Sequence, residues 1–228
     1  MRILFQAAVA VSLLAASACE YEFQSIPDGD AEDLRVGEAQ SARAREELAV
    51  LPPAGKPHMA GYTRDRFGDG WTDGELRDGC DTRNDILARD VSNVQRDGDC
   101  RVTAGVLHDP YTGRLIKFRR GVSSADVQID HLFPLHRAWM YGAWKWPKRR
   151  RVKFANDRGN LRAVAGQANA SKGDSGPAEW TPPNRAYRCA YATEYIDIAR
   201  IYKLPVTRGD RAALARLLST CPKDQKET

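Results

Sequence analysis

Two short runs, Ser124–Leu132 and Asn160–Gly166, bracket the segment that most restricts what this chain can build. In the first, β-branched Val127 and Ile129 alternate with polar residues. It reads as a strand that ends before Pro134, because proline has no N–H to give to a ladder. On such a strand Asp130 and His131 point to opposite faces, so the two can do different jobs. The second run reads as another short strand. The polar segment Gln167–Asp174 reads as one or two helical turns, with Asn169 and Lys172 three residues apart and therefore on one face. The local order is strand, loop, strand, short helix.

The residue types at these positions belong to one kind of chemistry. Asp130 offers hard oxygen to a magnesium-like cation, and Asn169 offers a second, neutral oxygen. His131, with an ordinary pKa of roughly 6.5, can take a proton from water near neutral pH. Asn160 can tie the two strands together and fix the orientation of His131, and Lys172 can approach a phosphate. Singly, each asparagine would read as a turn or capping residue. The joint spacing is what separates them from that reading.

Asp130-His131, Asn160, Asn169 and Lys172 together resemble the ββα-metal core of the HNH endonucleases, in the variant with asparagine where the last histidine of the name would stand, as in the HNH domains of RNA-guided nucleases. Further stretches look like one secreted bacterial branch of that family: Asp81-Thr-Arg-Asn-Asp-Ile-Leu87, Gly105-Val-Leu-His-Asp-Pro-Tyr-Thr-Gly113, Phe154-Ala-Asn-Asp157 and Trp180-Thr-Pro-Pro183. The resemblance spans roughly Leu51 to Leu218. It implies an endonuclease in which His131 is the general base, with Asn160 and Lys172 completing the catalytic set. One divalent ion, Mg2+ with Mn2+ as the alternative, would sit on Asp130 and Asn169. In-line attack of water on phosphorus would leave 5′-phosphate and 3′-hydroxyl ends.

Charge sharpens the substrate class. Residues Cys19–Val50 hold nine acidic residues against Arg35, Arg43 and Arg45, a net of −6. Removing them and Arg2 from the chain totals of 35 basic and 30 acidic residues leaves 31 and 21, so residues 51–228 carry +10. Such a domain favours a polyanion, DNA or RNA, although an anionic membrane surface meets the same condition. The charge is concentrated in Lys145, Lys148, Arg149, Arg150, Arg151 and Lys153, just after Trp139, Tyr141, Trp144 and Trp146. This run is the expected clamp on backbone phosphates, with little sequence specificity. The tryptophans read as packing residues.

The N-terminus is a separate unit. Met1-Arg2, the apolar run Ile3–Leu14 and the small residues Ala15–Ala18 form an export signal, residues 1–18, too short to be a permanent membrane anchor. Ala16-Ser-Ala18 suits ordinary signal peptidase, whereas Leu14–Cys19 also looks like a lipobox in which Cys19 would be lipidated. Residues 19–50 read as an acidic tether, disordered or loosely helical. Of the five cysteines, setting Cys19 aside leaves an even set suited to an exported protein. Cys80 with Cys100 and Cys189 with Cys221 each close a local loop and are the preferred pairing. A zinc site is the alternative, but no Cys-x-x-Cys spacing supports it.

One α+β domain, residues 51–228, is therefore expected. It would have a ββα-metal core, a preceding helix over Asp81–Val94, a hairpin of Arg101–Leu107 and Arg114–Phe118, and two covering helices, Tyr187–Tyr202 and Thr207–Leu218. The expected partner is nucleic acid, with a membrane reached only through a lipid at Cys19 and no protein partner implied. The competing reading is an extracytoplasmic nucleic-acid-binding or uptake lipoprotein without catalysis.

Overall fold

The structure, a computed structural model, describes residues 36–73, 76 and 78–222. The export signal, Cys19 and most of the tether lie outside the described residues.

The folded unit reaches further back than the expected boundary at Leu51. Helix α1 (Glu38–Val50) buries Ser41, Ala44 and Leu48 against the two C-terminal helices. Arg45 donates to the Leu218 carbonyl at 2.9 Å, and Glu47 pairs with Arg200 at 2.9 Å. A stripe this narrow, built mostly from small residues, is hard to see among so many charges.

Asp81 caps α2 (Thr82–Asp90) by accepting from the Asn84 N–H at 2.8 Å. The helix stops short of the expected Val94, because β-branched Val91 opens β1 (Val91–Asp97) instead. This strand pairs antiparallel with β2 (Arg101–His108), with a bulge near Asn93, and β2 pairs with β3 (Leu115–Arg119). The expected hairpin is thus two strands of a three-stranded sheet.

The β2–β3 connection is pinned by Asp109. Its fully buried carboxylate accepts from the backbone N–H groups of Tyr111, Thr112 and Ala165. The last of these fastens the turn to the segment ending at Ala165.

Strands β4 (Val127–His131) and β5 (Leu161–Ala165) form a separate antiparallel pair, with Asp130 opposite Arg162 and His131 opposite Leu161. Gly166, the first residue of α5 (Gly166–Lys172), has no room for a side chain, since a Cβ there would lie 2.0 Å from the Ala125 carbonyl oxygen. The link between β4 and β5, expected as a loop, is largely helical. It contains α3 (Leu135–Met140), a short 3-10 turn (Ala143–Lys145) and α4 (Lys148–Ala155), with Pro134 and Pro147 at the N-caps and Leu135, Ala138, Trp139 and Phe154 buried.

The chain closes with α6 (Arg188–Tyr202) and α7 (Arg208–Leu218), the latter capped by Thr207. Both preferred disulfides are present: Cys80–Cys100 joins the approach to α2 to the β1–β2 turn, and Cys189–Cys221 joins α6 to the segment after α7, with Cα separations of 5.1 and 5.0 Å.

The β4–β5 pair lies between two cores. Val127, Ile129, Leu161 and Ala163 pack with Ile86, Leu87 and Phe118. Val164 and Ala165 join the larger aromatic core of Tyr111, Phe133, Phe154, Tyr191 and Tyr195. Burial on both sides holds the ends of these strands rigid where the polar residues emerge.

Candidate active site

Asp130, His131 and Asn169 line one cleft of about 360 Å³, together with Arg64, Arg83 and Tyr62. A neighbouring hollow of about 350 Å³, bounded by Arg64–Trp71 and Ala155, meets it at His131. His131, Arg64 and Leu135 form the wall shared by the two openings.

His131 is 6% exposed, and its Nε2 lies 2.9 Å from the Ala155 carbonyl oxygen. A carbonyl can only accept, so Nε2 carries the proton and Nδ1 is the lone-pair nitrogen. Nδ1 has no hydrogen bond to any described residue. The Trp71 ring stacks on the imidazole at 5.9 Å with planes 10° apart, which holds the ring orientation from the other side. Burial pushes the imidazole down to about 3, opposed by the Ala155 carbonyl, and the positive charges of Arg64 and Lys172 push the same way as burial. Burial therefore favours the neutral imidazole near pH 7.

Asn160 is fully buried and ties the two strands, as its spacing suggested, but it does so through the residues after His131. Its Oδ1 accepts from the Phe133 N–H at 2.8 Å, its Nδ2 donates to the Phe133 carbonyl at 3.2 Å, and its own carbonyl accepts from Leu132 at 2.8 Å. It fixes the backbone leaving β4 and acts on His131 only through that backbone.

Lys172 does not face the cleft. Its side chain is buried, and its ammonium lies 3.0 Å from the Asp130 carboxylate and 2.8 Å from the His131 carbonyl. The expected phosphate contact is corrected to an internal counter-ion, because a lysine this deep must be paired. Tyr111 donates its hydroxyl to the same carboxylate. Burial raises the Asp130 carboxyl above its ordinary value, and Lys172 and Tyr111 oppose that rise.

Asp130 and Asn169 bring oxygen donors to the same cleft. Asn169 gives its amide N–H to the Gln128 side-chain oxygen at 2.8 Å, which leaves Asn169 Oδ1 with no described partner. The Asp130 oxygens retain lone pairs beyond those used by Tyr111 and Lys172. Two oxygen donors of this kind match a magnesium-like ion that keeps much of its water.

None of the six residues of the basic run lines the cleft. Arg150 donates to the Tyr202 carbonyl at 2.8 Å and lies over the Trp146 ring, and Arg151 donates to the Arg66 and Trp146 carbonyls. These two hold α4 in place. Lys148 is 4.0 Å from exposed Asp69, Lys145 lies over Trp144, and Arg149 and Lys153 are exposed at the periphery.

The cationic wall of the cleft is instead Arg64 and Arg83. Neither makes a hydrogen bond or ion pair with a described residue, and burial pushes the half-buried Arg83 guanidinium down from its ordinary value, aided by Arg120. Arg83 sits in the Asp81–Leu87 motif. Its neighbours are scaffold: Asn84 holds the Val102 N–H at 3.0 Å, and Asp85 is buried. Arg64 gave no signal in sequence beyond being one arginine among many.

Residues 81–217 match the family model described as the C-terminal domain of GmrSD restriction endonucleases, and the chain belongs to that family, a nuclease family. An uncharacterized secreted protein of Arthroderma benhamiae is 40% identical over 183 residues, covering 79% of this chain and 86% of that protein. This relative is fungal, so the comparison does not carry the narrower bacterial branch. No solved structure matches.

Proposed function

We propose that this protein is a metal-dependent, largely sequence-nonspecific endonuclease that hydrolyses DNA phosphodiester bonds outside the cytoplasm, with the β4–β5–α5 unit serving as an HNH-type ββα-metal core. The observation that carries this reading is the neutral His131, its Nε2 hydrogen held by Ala155 and its Nδ1 free, in one cleft with Asp130, Asn169, Arg64 and Arg83.

His131 Nδ1 takes a proton from water. The water oxygen bonds to phosphorus, the bond from phosphorus to the 3′ oxygen breaks, that oxygen takes a proton from solvent, and the products are 5′-phosphate and 3′-hydroxyl ends. Arg64 and Arg83 hold the phosphate as it gains negative charge. Lys172 and Tyr111 oppose the loss of charge that burial favours at Asp130 and hold its carboxylate in place, and Asn169 Oδ1 stands as the second oxygen donor. A bound divalent ion would supply charge stabilisation at the reacting phosphate and the leaving oxygen. The family supports a nuclease, and the two disulfides together with the secreted relative support action in an oxidising compartment.

The test is nicking of supercoiled plasmid by the oxidised protein with magnesium or manganese, with excess EDTA, and by His131→Ala. Cleavage should need metal and fall by about 10²- to 10⁴-fold in the variant with DNA affinity kept. Unchanged cleavage by His131→Ala would sink the mechanism. A well-folded wild type that binds DNA but cuts in no metal would move the assignment to a binding module.

A further inference from the structure

A second groove, about 320 Å³ in volume, opens between the segment after α1 and the end of α3, lined by Lys56, His58, Tyr141, Gly142, Trp144 and Lys145 among others. In it the His58 imidazole stacks on the Trp144 indole, with centroids 4.2 Å apart and planes 19° apart. Lys145 Nζ lies 4.9 Å from the centre of the same indole. Trp144 is 39% exposed, whereas Trp139 is buried and Trp146 packs on Phe154 and Tyr202. One tryptophan of the cluster is thus left at the surface beside two lysines, with no role in the core.

This groove is joined to the cleft by one short segment. His58 at one end of it and Tyr62 at the other flank Trp139, with ring separations of 6.4 and 6.2 Å, and Tyr62 lines the cleft while stacking on His136 at 4.5 Å. The segment is anchored on both sides of its turn: the His58 N–H meets the Met140 carbonyl at 2.9 Å, and the Trp139 indole N–H meets the Ala60 carbonyl at 2.9 Å. Four residues span at most about 14 Å, which is about four nucleotides at the roughly 3.4 Å spacing of one stacked strand.

We propose that the His58–Trp144 stack with Lys56 and Lys145 is a binding site for an unpaired nucleobase and its phosphate, a few nucleotides from the scissile bond, so that the enzyme holds single-stranded nucleic acid better than duplex. The inference rests on the nuclease reading of the cleft. A half-exposed ring beside lysines is the combination that holds single strands, and a base would reach the indole by taking the place of the Lys145 ammonium over it, which then pairs with the phosphate of that nucleotide. Bases stacked inside a duplex cannot present a π-face, so duplex gains only the charge.

The test uses the oxidised full chain with EDTA, so that nothing is cut, and dye-labelled oligothymidine against a duplex of equal length. Trp144→Ala should weaken oligothymidine binding by roughly tenfold and leave duplex binding within about twofold. His58→Ala should act in the same direction, and Trp144→Phe should restore most of the loss. Equal losses on both ligands, or no loss on oligothymidine with either alanine variant, would overturn the proposal. Plasmid nicking separates the two readings. Persistent metal-dependent nicking by Trp144→Ala with unchanged single-strand affinity defeats the groove alone, and a wild type that shows the stacking effect but cuts nothing defeats the nuclease alone.

Discussion

The Lys172 ammonium lies 3.0 Å from the Asp130 carboxylate inside the protein, with the lysine side chain out of reach of solvent. The pair joins the first residue type of the candidate metal site to the last residue of α5 and also grips the His131 carbonyl at 2.8 Å. Lys172→Met should therefore destabilise the fold by about 3–5 kcal/mol, because it strands a buried carboxylate. Urea unfolding in EDTA measures this. A phosphate-binding lysine at the surface would leave the unfolding midpoint where it was.

Acid should weaken the fold through His131. The unfolded chain takes up a proton on this residue near pH 6.5, but the folded chain holds the imidazole neutral down to about 3. Its contribution is therefore complete above the unfolded value and is lost progressively as pH falls from about 6.5 toward 3. His131→Gln, compared with wild type by urea unfolding in EDTA at about pH 7 and about pH 4.5, should show a shallower loss, with a difference on the order of a few kcal/mol. Parallel losses in the two proteins would mean that the imidazole is not buried neutral.

Arg83 and Arg151 should behave in opposite ways. Arg83→Ala removes a guanidinium without a described partner, so stability should hold while DNA affinity falls and the salt dependence of binding drops by about 0.9 in slope. Arg151→Ala leaves the Arg66 and Trp146 carbonyls without their donor and should lower the melting temperature while leaving the salt slope unchanged. Salt titrations of duplex binding alongside thermal melts distinguish the two.

Asn160 should be a folding residue with a catalytic consequence. Asn160→Leu leaves the Phe133 N–H and C=O unpaired in a fully buried setting, a cost of about 1–3 kcal/mol for each group. Activity should fall with it as the exit from β4 loosens. The readout is hydrogen exchange at Phe133, which should become fast in the variant.

The short-range structure was legible because it rests on local rules. Alternation marked β4 and Pro134 its end, and loop closure favoured both disulfides. Asp130 and His131 could be placed side by side on one strand, and Asn169 and Lys172 on one helical turn, but it is the β4–β5 pairing that brings Asp130, His131 and Asn169 to one cleft. Helix α1 could not be read, because its stripe of Ser41, Ala44 and Leu48 has meaning only once α6 and α7 lie against it.

The sequence by itself marked the segments that become β4, β5 and α5, though not the helices between the two strands, together with the preferred cysteine pairing and the polyanion-favouring charge. The tertiary structure decided which charges do the work. Lys172 and Arg151 are drawn inward because a buried carboxylate and unpaired carbonyls demand donors, and Arg64 and Arg83 face the cleft with their guanidinium groups hydrogen-bonded to no described residue. A cation's role depends on which acceptors lie nearest to it in space, and a linear sequence does not contain that distance.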